Sequence, residues 1–149
     1  MRLWHKDLIP VLPQKQLLGQ WRECCAIAKN INEKGTPNHI LVNRIMEYPI
    51  EQFIRYSREI FYEMKRRGFD CDYTKFSQYV NNPNAGWKMP IKDLFPTWHN
   101  DRYLTQCYYN LEEKYDCGGI STEEFKEIIA HLCVECAIEK ILGWENESS

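Results

Sequence analysis

Few residues in this 149-residue sequence have types and spacings that could carry out chemistry. It contains no phosphate-binding glycine loop, no HExxH zinc motif, no GxSxG elbow and no paired-carboxylate motif. Single histidines are scattered along the chain, at His5, His39, His99 and His131. No single motif therefore predicts an enzyme, and any site must be assembled from separate parts of the chain.

The seven cysteines are accompanied by no apolar secretory segment near the N-terminus, so reduced thiols are expected. Cys133 and Cys136 form a CxxC, which together with Cys117 and His131 offers one possible zinc site. At helical spacing the same two cysteines serve equally well as small core residues. We favour the core interpretation and expect no metal and no cofactor.

The first predicted helix covers residues 14–30 and would position any polar residues used for chemistry. Its apolar residues recur at helical spacing, at Leu17, Leu18, Trp21, Cys24, Cys25 and Ala28. At about 100° per residue, Glu23 points almost opposite this stripe, with Gln16 and Gln20 on the same polar side. Lys15, Arg22 and Lys29 lie on its flank. One face is therefore predicted to be buried and the other open to water or a partner.

Three further helices are predicted. The second follows Pro49 and stops at Gly68, with Arg66 and Arg67 available to complement its C-terminal dipole. The third runs from about Asn100 to the Cys117-Gly118-Gly119 break, and a Ser121–Glu124 capping box opens the fourth. Three aromatic residues are expected to pin the intervening loop, 69–98, to the core: Phe76, Trp87 and Phe95. We expect an all-α single domain over 1–149, with an additional C-terminal helix over 117–142 and a frayed tail over 143–149.

The formal net charge of −2 is unevenly distributed along the chain. Residues 1–67 carry a balance of +5 and residues 68–149 a balance of −7. A nearly neutral protein can therefore present a basic face to phosphates. No apolar run approaches the ~18 residues that a membrane span needs, so we expect no membrane association and a cytoplasmic location.

Three segments, in the same order, resemble the phage-type pyrimidine-dimer DNA glycosylases that also have AP-lyase activity. The first is Met1-Arg2-Leu3 followed by QLLGQWRE, residues 16–23. The second is IEQFIRYSREIFYEMKRRGFD, residues 50–70, and the third is WHNDRYLTQCYYNLEEKYD, residues 98–116. The resemblance covers about residues 1–116, and it is closer to a bacterial or prophage branch than to the phage enzyme.

The resemblance implies catalysis by a free chain terminus. α-Amines as a class have a pKa of ~7.7–8, about 2.5 units below lysine, so a usable fraction is unprotonated near neutral pH. Such an amine attacks C1′ of the damaged nucleotide, expels the base and forms an imine with the sugar, after which β-elimination cuts the strand. The family's catalytic carboxylate corresponds to Glu23. It would stabilise the cationic sugar and shuttle protons.

Two positions differ from the family's pattern. Arg2 follows Met1, and because a bulky second residue blocks removal of the initiator, the nucleophile would be the Met1 amine. Ala26 stands where the family has a basic residue, which removes one phosphate contact. The resemblance then implies that Arg2 and Arg22 hold phosphates or the lesion strand. Further DNA contacts are expected from the polar face of the first helix, at Lys15, Gln16 and Gln20.

The sequence thus favours a DNA repair glycosylase/AP lyase that binds double-stranded damaged DNA, containing a pyrimidine dimer or an abasic site, as a monomer. Its alternative is a non-catalytic helical module that binds DNA or protein on the same scaffold. Ala26, the altered terminus and the acidic C-terminal half motivate this alternative.

Overall fold

The computed structural model describes residues 1–133, which contain helices and no strand. The described residues form five α-helices: α1 (Gln14–Lys34), α2 (Ile50–Arg66), α3 (Thr74–Ser77), α4 (Asp101–Asp116) and α5, which begins at residue 122 and includes the last described residue, 133. Three short 3₁₀ helices span Lys6–Val11, Asn43–Glu47 and Ile91–Asp93. This architecture confirms the predicted all-α fold class.

Helix α1 is the central element. It begins after Pro13, extends four residues beyond its predicted end, and stops at Gly35, whose φ of 73° is left-handed. The helix packs against α2 and α3, and the ring of Trp21 lies among aromatic rings from both sides of that contact. The predicted apolar stripe of α1 is therefore its buried face.

Helix α2 begins and ends where the sequence predicts, after Pro49 and before Gly68. Its terminal arginines hold the structure together. The Arg66 guanidinium pairs with Glu59 and Glu63 at 2.9 Å, and Arg67 donates to the carbonyl oxygen of Leu12 at 2.7 Å. The Arg66 pairs stabilise the last turns of α2, and the Arg67 contact ties the end of the helix to the chain just before α1, as expected for a structural role.

The predicted loop over 69–98 contains the single-turn helix α3, which the sequence did not predict, and it is anchored in the core by Phe76 and Phe95, both buried as predicted. The prediction for Trp87 is wrong, because 65% of this residue is exposed. Near Trp87 the loop passes close to α2, and Arg55 Nε of α2 donates to the Met89 carbonyl oxygen at 3.0 Å. A Cβ on Gly86 would lie 2.7 Å from the carbonyl oxygen of Glu51, so the chain passes too close to α2 for an inward-facing indole beside it.

Helices α4 and α5 also begin as predicted. Asn100 caps α4, and the α5 capping box forms with the Ser121 hydroxyl accepting from the Glu124 amide at 3.1 Å. Stacking of Tyr115 on Phe125, with ring centroids 4.3 Å apart, packs α5 against α4. The predicted tail over 143–149 and the end of the predicted 117–142 helix lie outside the described residues. None of the described helices has the length and apolar character to cross a membrane.

Candidate functional site

Residues 1–6, here called the N-terminal segment, pack against the helices. Met1 is 39% exposed and Arg2 is half-buried, yet the next four residues, from Leu3 to Lys6, are all buried. Peptide groups taken out of water need hydrogen-bond partners, and the segment has no neighbouring strand or helical turn to supply them before Lys6. Side chains from α1, α2 and α4 supply them instead.

Both the oxygen and the nitrogen of the Gln20 side-chain amide, on α1, hydrogen-bond to the segment. Its Oε1 accepts from the Trp4 backbone N–H at 2.7 Å, and its Nε2 donates to the Arg2 carbonyl oxygen at 2.8 Å. The Tyr56 hydroxyl of α2 donates to the Trp4 carbonyl oxygen at 2.6 Å and lies 3.0 Å from Gln20 Oε1. Burial raises the pKa of Tyr56 well above its ordinary value, so the hydroxyl keeps the proton that it donates. The segment is thereby held in one position over α1.

Tyr103 of α4 completes the set of contacts. Its hydroxyl donates to the Leu3 carbonyl oxygen at 2.6 Å, which joins α4 to the segment across a hundred residues of sequence. Desolvation raises the pKa of Tyr103 as well. The carbonyl oxygens of Arg2, Leu3 and Trp4 are therefore each held by a side chain from a different helix.

Glu23 lies beside the chain terminus. The Arg2 backbone N–H, which immediately follows the Met1 residue, donates to Glu23 Oε2 at 3.3 Å. Gln20 Nε2 donates to the same oxygen at 3.2 Å, so the carboxylate is oriented from two directions. Glu23 is half-buried. The structure therefore brings together an accessible terminal residue and a carboxylate, as the resemblance implies.

The other predicted contact residues are distributed differently. Arg22 and Lys15 lie exposed on α1, on the side open to solvent. Gln16 is half-buried, and the prediction that Gln20 lies on an open polar face is wrong, because Gln20 is only 1% exposed. The helical pattern of α1 was correct. What it could not show is that the N-terminal segment covers part of the polar side.

The buried His99 side chain also contacts the N-terminal segment, at His5 and Lys6. The imidazole rings of His5 and His99 stack with centroids 5.1 Å apart, and His99 Nδ1 accepts from the Lys6 backbone N–H at 3.0 Å. Burial, reinforced by neighbouring positive charge, lowers the pKa of His99 to about 2. The ring is therefore neutral, and it acts as a hydrogen-bond acceptor within the fold.

Sequence reasoning missed Tyr56 and Tyr103 as members of the site. Both stand next to core positions of their helices, Tyr56 before Ser57 and Tyr103 before Leu104. A tyrosine at the border of an apolar helix face needs a partner for its hydroxyl, which is the signal that could have identified them. Their partners are backbone carbonyl oxygens, whose positions no side-chain pattern reveals.

The structure does not support the possible zinc site. Within residues 1–133, no three His, Cys, Asp or Glu side chains are grouped so that they could hold a metal ion. Cys133 is exposed. Cys136, the other half of the CxxC, lies outside the described residues. The candidate zinc ligands Cys117 and His131 belong to no such group among the residues that the structure describes.

A family model described as pyrimidine dimer DNA glycosylase matches residues 1–77. No curated protein and no solved structure matches the chain. The matched half contains Met1, Glu23, Gln20 and Tyr56 from the site, whereas Tyr103 lies beyond it. The chain belongs to the pyrimidine dimer DNA glycosylases, a family of DNA repair glycosylases, and its substrate is accordingly DNA. The third resembling segment, 98–116, lies outside the matched residues.

Proposed function

We propose that this protein is a glycosylase and AP lyase that acts on pyrimidine-dimer or abasic DNA through the α-amine of Met1. The observation that carries the proposal is the hydrogen bond of the Arg2 backbone N–H to Glu23 Oε2, which places a carboxylate one residue from the terminus. Membership of the glycosylase family supplies the substrate class. The reaction needs no cofactor.

The steps follow from amine chemistry. The Met1 nitrogen adds to C1′ of the damaged nucleotide while the glycosidic bond breaks and the base leaves with the bonding electrons. Opening of the sugar ring and loss of the amine proton give an imine. The imine acidifies the C2′ proton, and its removal expels the 3′ phosphate by β-elimination. On an abasic site the amine condenses with the C1′ aldehyde and releases water, and elimination follows in the same way.

Glu23 would act twice in this sequence. Its negative charge stabilises the positive charge that develops on the sugar and on the iminium, and the effect is largest where water is excluded. A carboxylate within reach of the amine and C2′ can also carry protons, which contributes about 10²–10⁴-fold in rate. Gln20 holds this carboxylate from α1, so we assign Gln20 a positioning role in place of a direct DNA contact.

Arg22 and Lys15 are the proposed phosphate contacts on α1. Both are exposed on the same helix as Glu23, and phosphate contacts fix the register of a protein on DNA. Arg2 follows the nucleophile directly, and its guanidinium carbon lies 5.6 Å from the centroid of the Trp4 ring. Gln16, which is half-buried, would lie at the edge of such a surface.

Borohydride trapping tests the proposal. Protein with its native N-terminus is mixed with duplex DNA carrying an abasic site or a thymine dimer, and the reduced covalent adduct is measured. We expect an adduct with the wild type, none when the terminus is extended or acetylated, and trapping at least about 100-fold slower in Glu23→Gln. Glu33→Gln, an exposed residue on the same helix, is the matched control and should trap like the wild type.

Absence of an adduct with the intact terminus, under conditions where a known lyase is trapped, would overturn the proposal. DNA binding with steep salt dependence but no adduct would instead identify the non-catalytic DNA-binding module. Absence of DNA binding at low salt would leave a protein-interaction role.

A further inference from the structure

A cleft of about 500 Å³ opens next to the candidate site. Its walls are the N-terminal segment, the chain around residues 40–44 and the beginning of α4. Three of the described lining residues are arginines, Arg2, Arg44 and Arg102, and none of those residues is acidic. Three guanidinium groups around one open cleft repel one another, and a bound anion would relieve that repulsion.

Arg44 is held in place on one wall. Its Nη2 donates to the Thr97 carbonyl oxygen at 3.3 Å, and its guanidinium carbon lies 5.8 Å from the centroid of the buried Trp98 ring. Glu47 meets Arg44 Nε at 3.4 Å, but both side chains are substantially exposed, so this pair neutralises little of the charge. A guanidinium fixed against an aromatic face loses little freedom when it binds an anion.

The cleft and the candidate site share residues. Arg2 lines the cleft with its side chain while its backbone N–H contacts Glu23. Tyr103 also lines the cleft, and its hydroxyl holds the Leu3 carbonyl oxygen. An anion bound beside Arg2 would therefore lie next to the residue that follows Met1 in the chain.

Two exposed apolar side chains also line the cleft. Ile40 is 84% exposed and Leu41 51% exposed, and both line it. Apolar side chains beside fixed positive charge suit a ligand in which an anion alternates with less polar groups. A nucleic-acid strand has this alternation, with a phosphate between successive sugars and bases.

We propose that this cleft binds a backbone phosphate of the DNA strand next to the damaged nucleotide, with Arg44 and Arg102 as its ligands. The proposal rests on the proposed function for the identity of the strand. Arginine is suited to the role because its planar fork donates two parallel hydrogen bonds to phosphate oxygens. Arg44, Trp98 and Arg102 would act in addition to Arg22 and Lys15 of α1, and Trp98 and Arg102 lie beyond the residues that the family model matches.

Equilibrium binding to a non-cleavable duplex, with tetrahydrofuran in place of the abasic sugar, tests the cleft. Affinity is measured by fluorescence anisotropy over a series of salt concentrations. We expect Arg44→Gln/Arg102→Gln to bind about 10- to 100-fold more weakly, in line with lost charge-assisted hydrogen bonds. The slope of the logarithm of the binding constant against the logarithm of the salt concentration should also become shallower by about 0.9, which corresponds to the loss of one phosphate contact.

Lys126→Gln is the matched control. It removes one positive charge from an exposed position of α5, a helix that packs on α4 through Tyr115 and Phe125, away from the face that lines the cleft. Its affinity and slope should match the wild type. Arg102→Gln alone is the second variant. Since Arg102 is exposed, its loss of affinity reports on the cleft even if replacing Arg44 loosens the wall.

The possible outcomes separate this proposal from the proposed function. If the double variant binds with wild-type affinity and slope, or if Lys126→Gln weakens binding equally, the cleft proposal is overturned whatever the trapping result. If the arginine variants bind weakly while the wild type forms no covalent adduct, the cleft is supported and the proposed chemistry fails. Absence of DNA binding by the wild type at low salt would overturn both.

Discussion

At the scale of single residues, the site depends on neutral hydrogen-bonding groups more than on charge. Gln20 and Tyr56 carry no charge, yet they set where the chain terminus lies relative to Glu23. A neutral amide can accept from one peptide and donate to another at once, which a carboxylate or an ammonium group cannot do. Gln20 therefore links Arg2, Trp4 and Glu23 through a single side chain.

The Tyr56 hydroxyl provides a first stability prediction. Tyr56→Phe leaves the Trp4 carbonyl oxygen buried without its donor, so we expect the free energy of unfolding to fall by about 1–3 kcal/mol. Chemical denaturation measures it. Tyr62→Phe, an exposed tyrosine on the same helix, should change stability by less than about 0.5 kcal/mol. Equal effects of the two variants would contradict the role given to the hydroxyl.

At the scale of elements, helix ends are determined by backbone geometry. Gly68 ends α2 with a φ of 86°, where an added Cβ would meet nothing within 4 Å. A side chain at this position would therefore lower stability because of its left-handed backbone conformation, and not because it collides with other atoms. Gly19 lies inside α1 with ordinary helical geometry, and the nearest atom to an added Cβ is Arg22 Nη2 at 4.0 Å.

These two glycines should respond to alanine in opposite directions. We expect Gly68→Ala to lower the free energy of unfolding by about 1–2 kcal/mol, the cost of a left-handed conformation for an L-residue. Gly19→Ala should raise it by up to about 1 kcal/mol, the difference in helix propensity. Thermal or denaturant unfolding measures both. Stabilisation by Gly68→Ala would show that α2 does not end in the conformation described.

At the scale of the whole molecule, the N-terminal segment makes stability depend on pH. His99 is 4% exposed, and burial lowers its pKa to about 2. The pKa of the neighbouring His5 is also lowered by burial. Because the folded state favours the neutral rings, the unfolded chain takes up protons first as the pH falls below about 6.5, the ordinary histidine value. Acid therefore favours unfolding.

We expect the His99 contribution to the free energy of unfolding to decrease by about 1.4 kcal/mol for each pH unit between about 6 and 4. Denaturant titrations across this range measure the slope. His99→Asn, which can retain an acceptor for the Lys6 amide, should remove that share of the slope, whereas the matched loop variant His39→Asn should keep it. An unchanged slope in His99→Asn would mean that His99 is protonated in the folded state.

The sequence by itself determined where the longer helices α1, α2, α4 and α5 begin, but it did not predict the short α3. Proline, glycine and capping residues act within a few positions, and the apolar stripes of α1 and α2 follow from helical periodicity, so these elements could be predicted with bounds accurate to a few residues. The resemblance of residues 1–23 also identified Glu23 and the chain terminus as a candidate pair. The proximity of the two was an expectation until the Arg2 to Glu23 contact was seen.

Only the tertiary structure decided which polar residues face solvent. Gln20 is buried because the N-terminal segment crosses α1, and the cleft arginines come from positions 2, 44 and 102. Trp87 is exposed because its loop passes close to α2 at Gly86, which leaves no room for the indole to point inward. These features arise from contacts between residues far apart in the chain. Local periodicity describes one element at a time, so it carries no information about what covers that element.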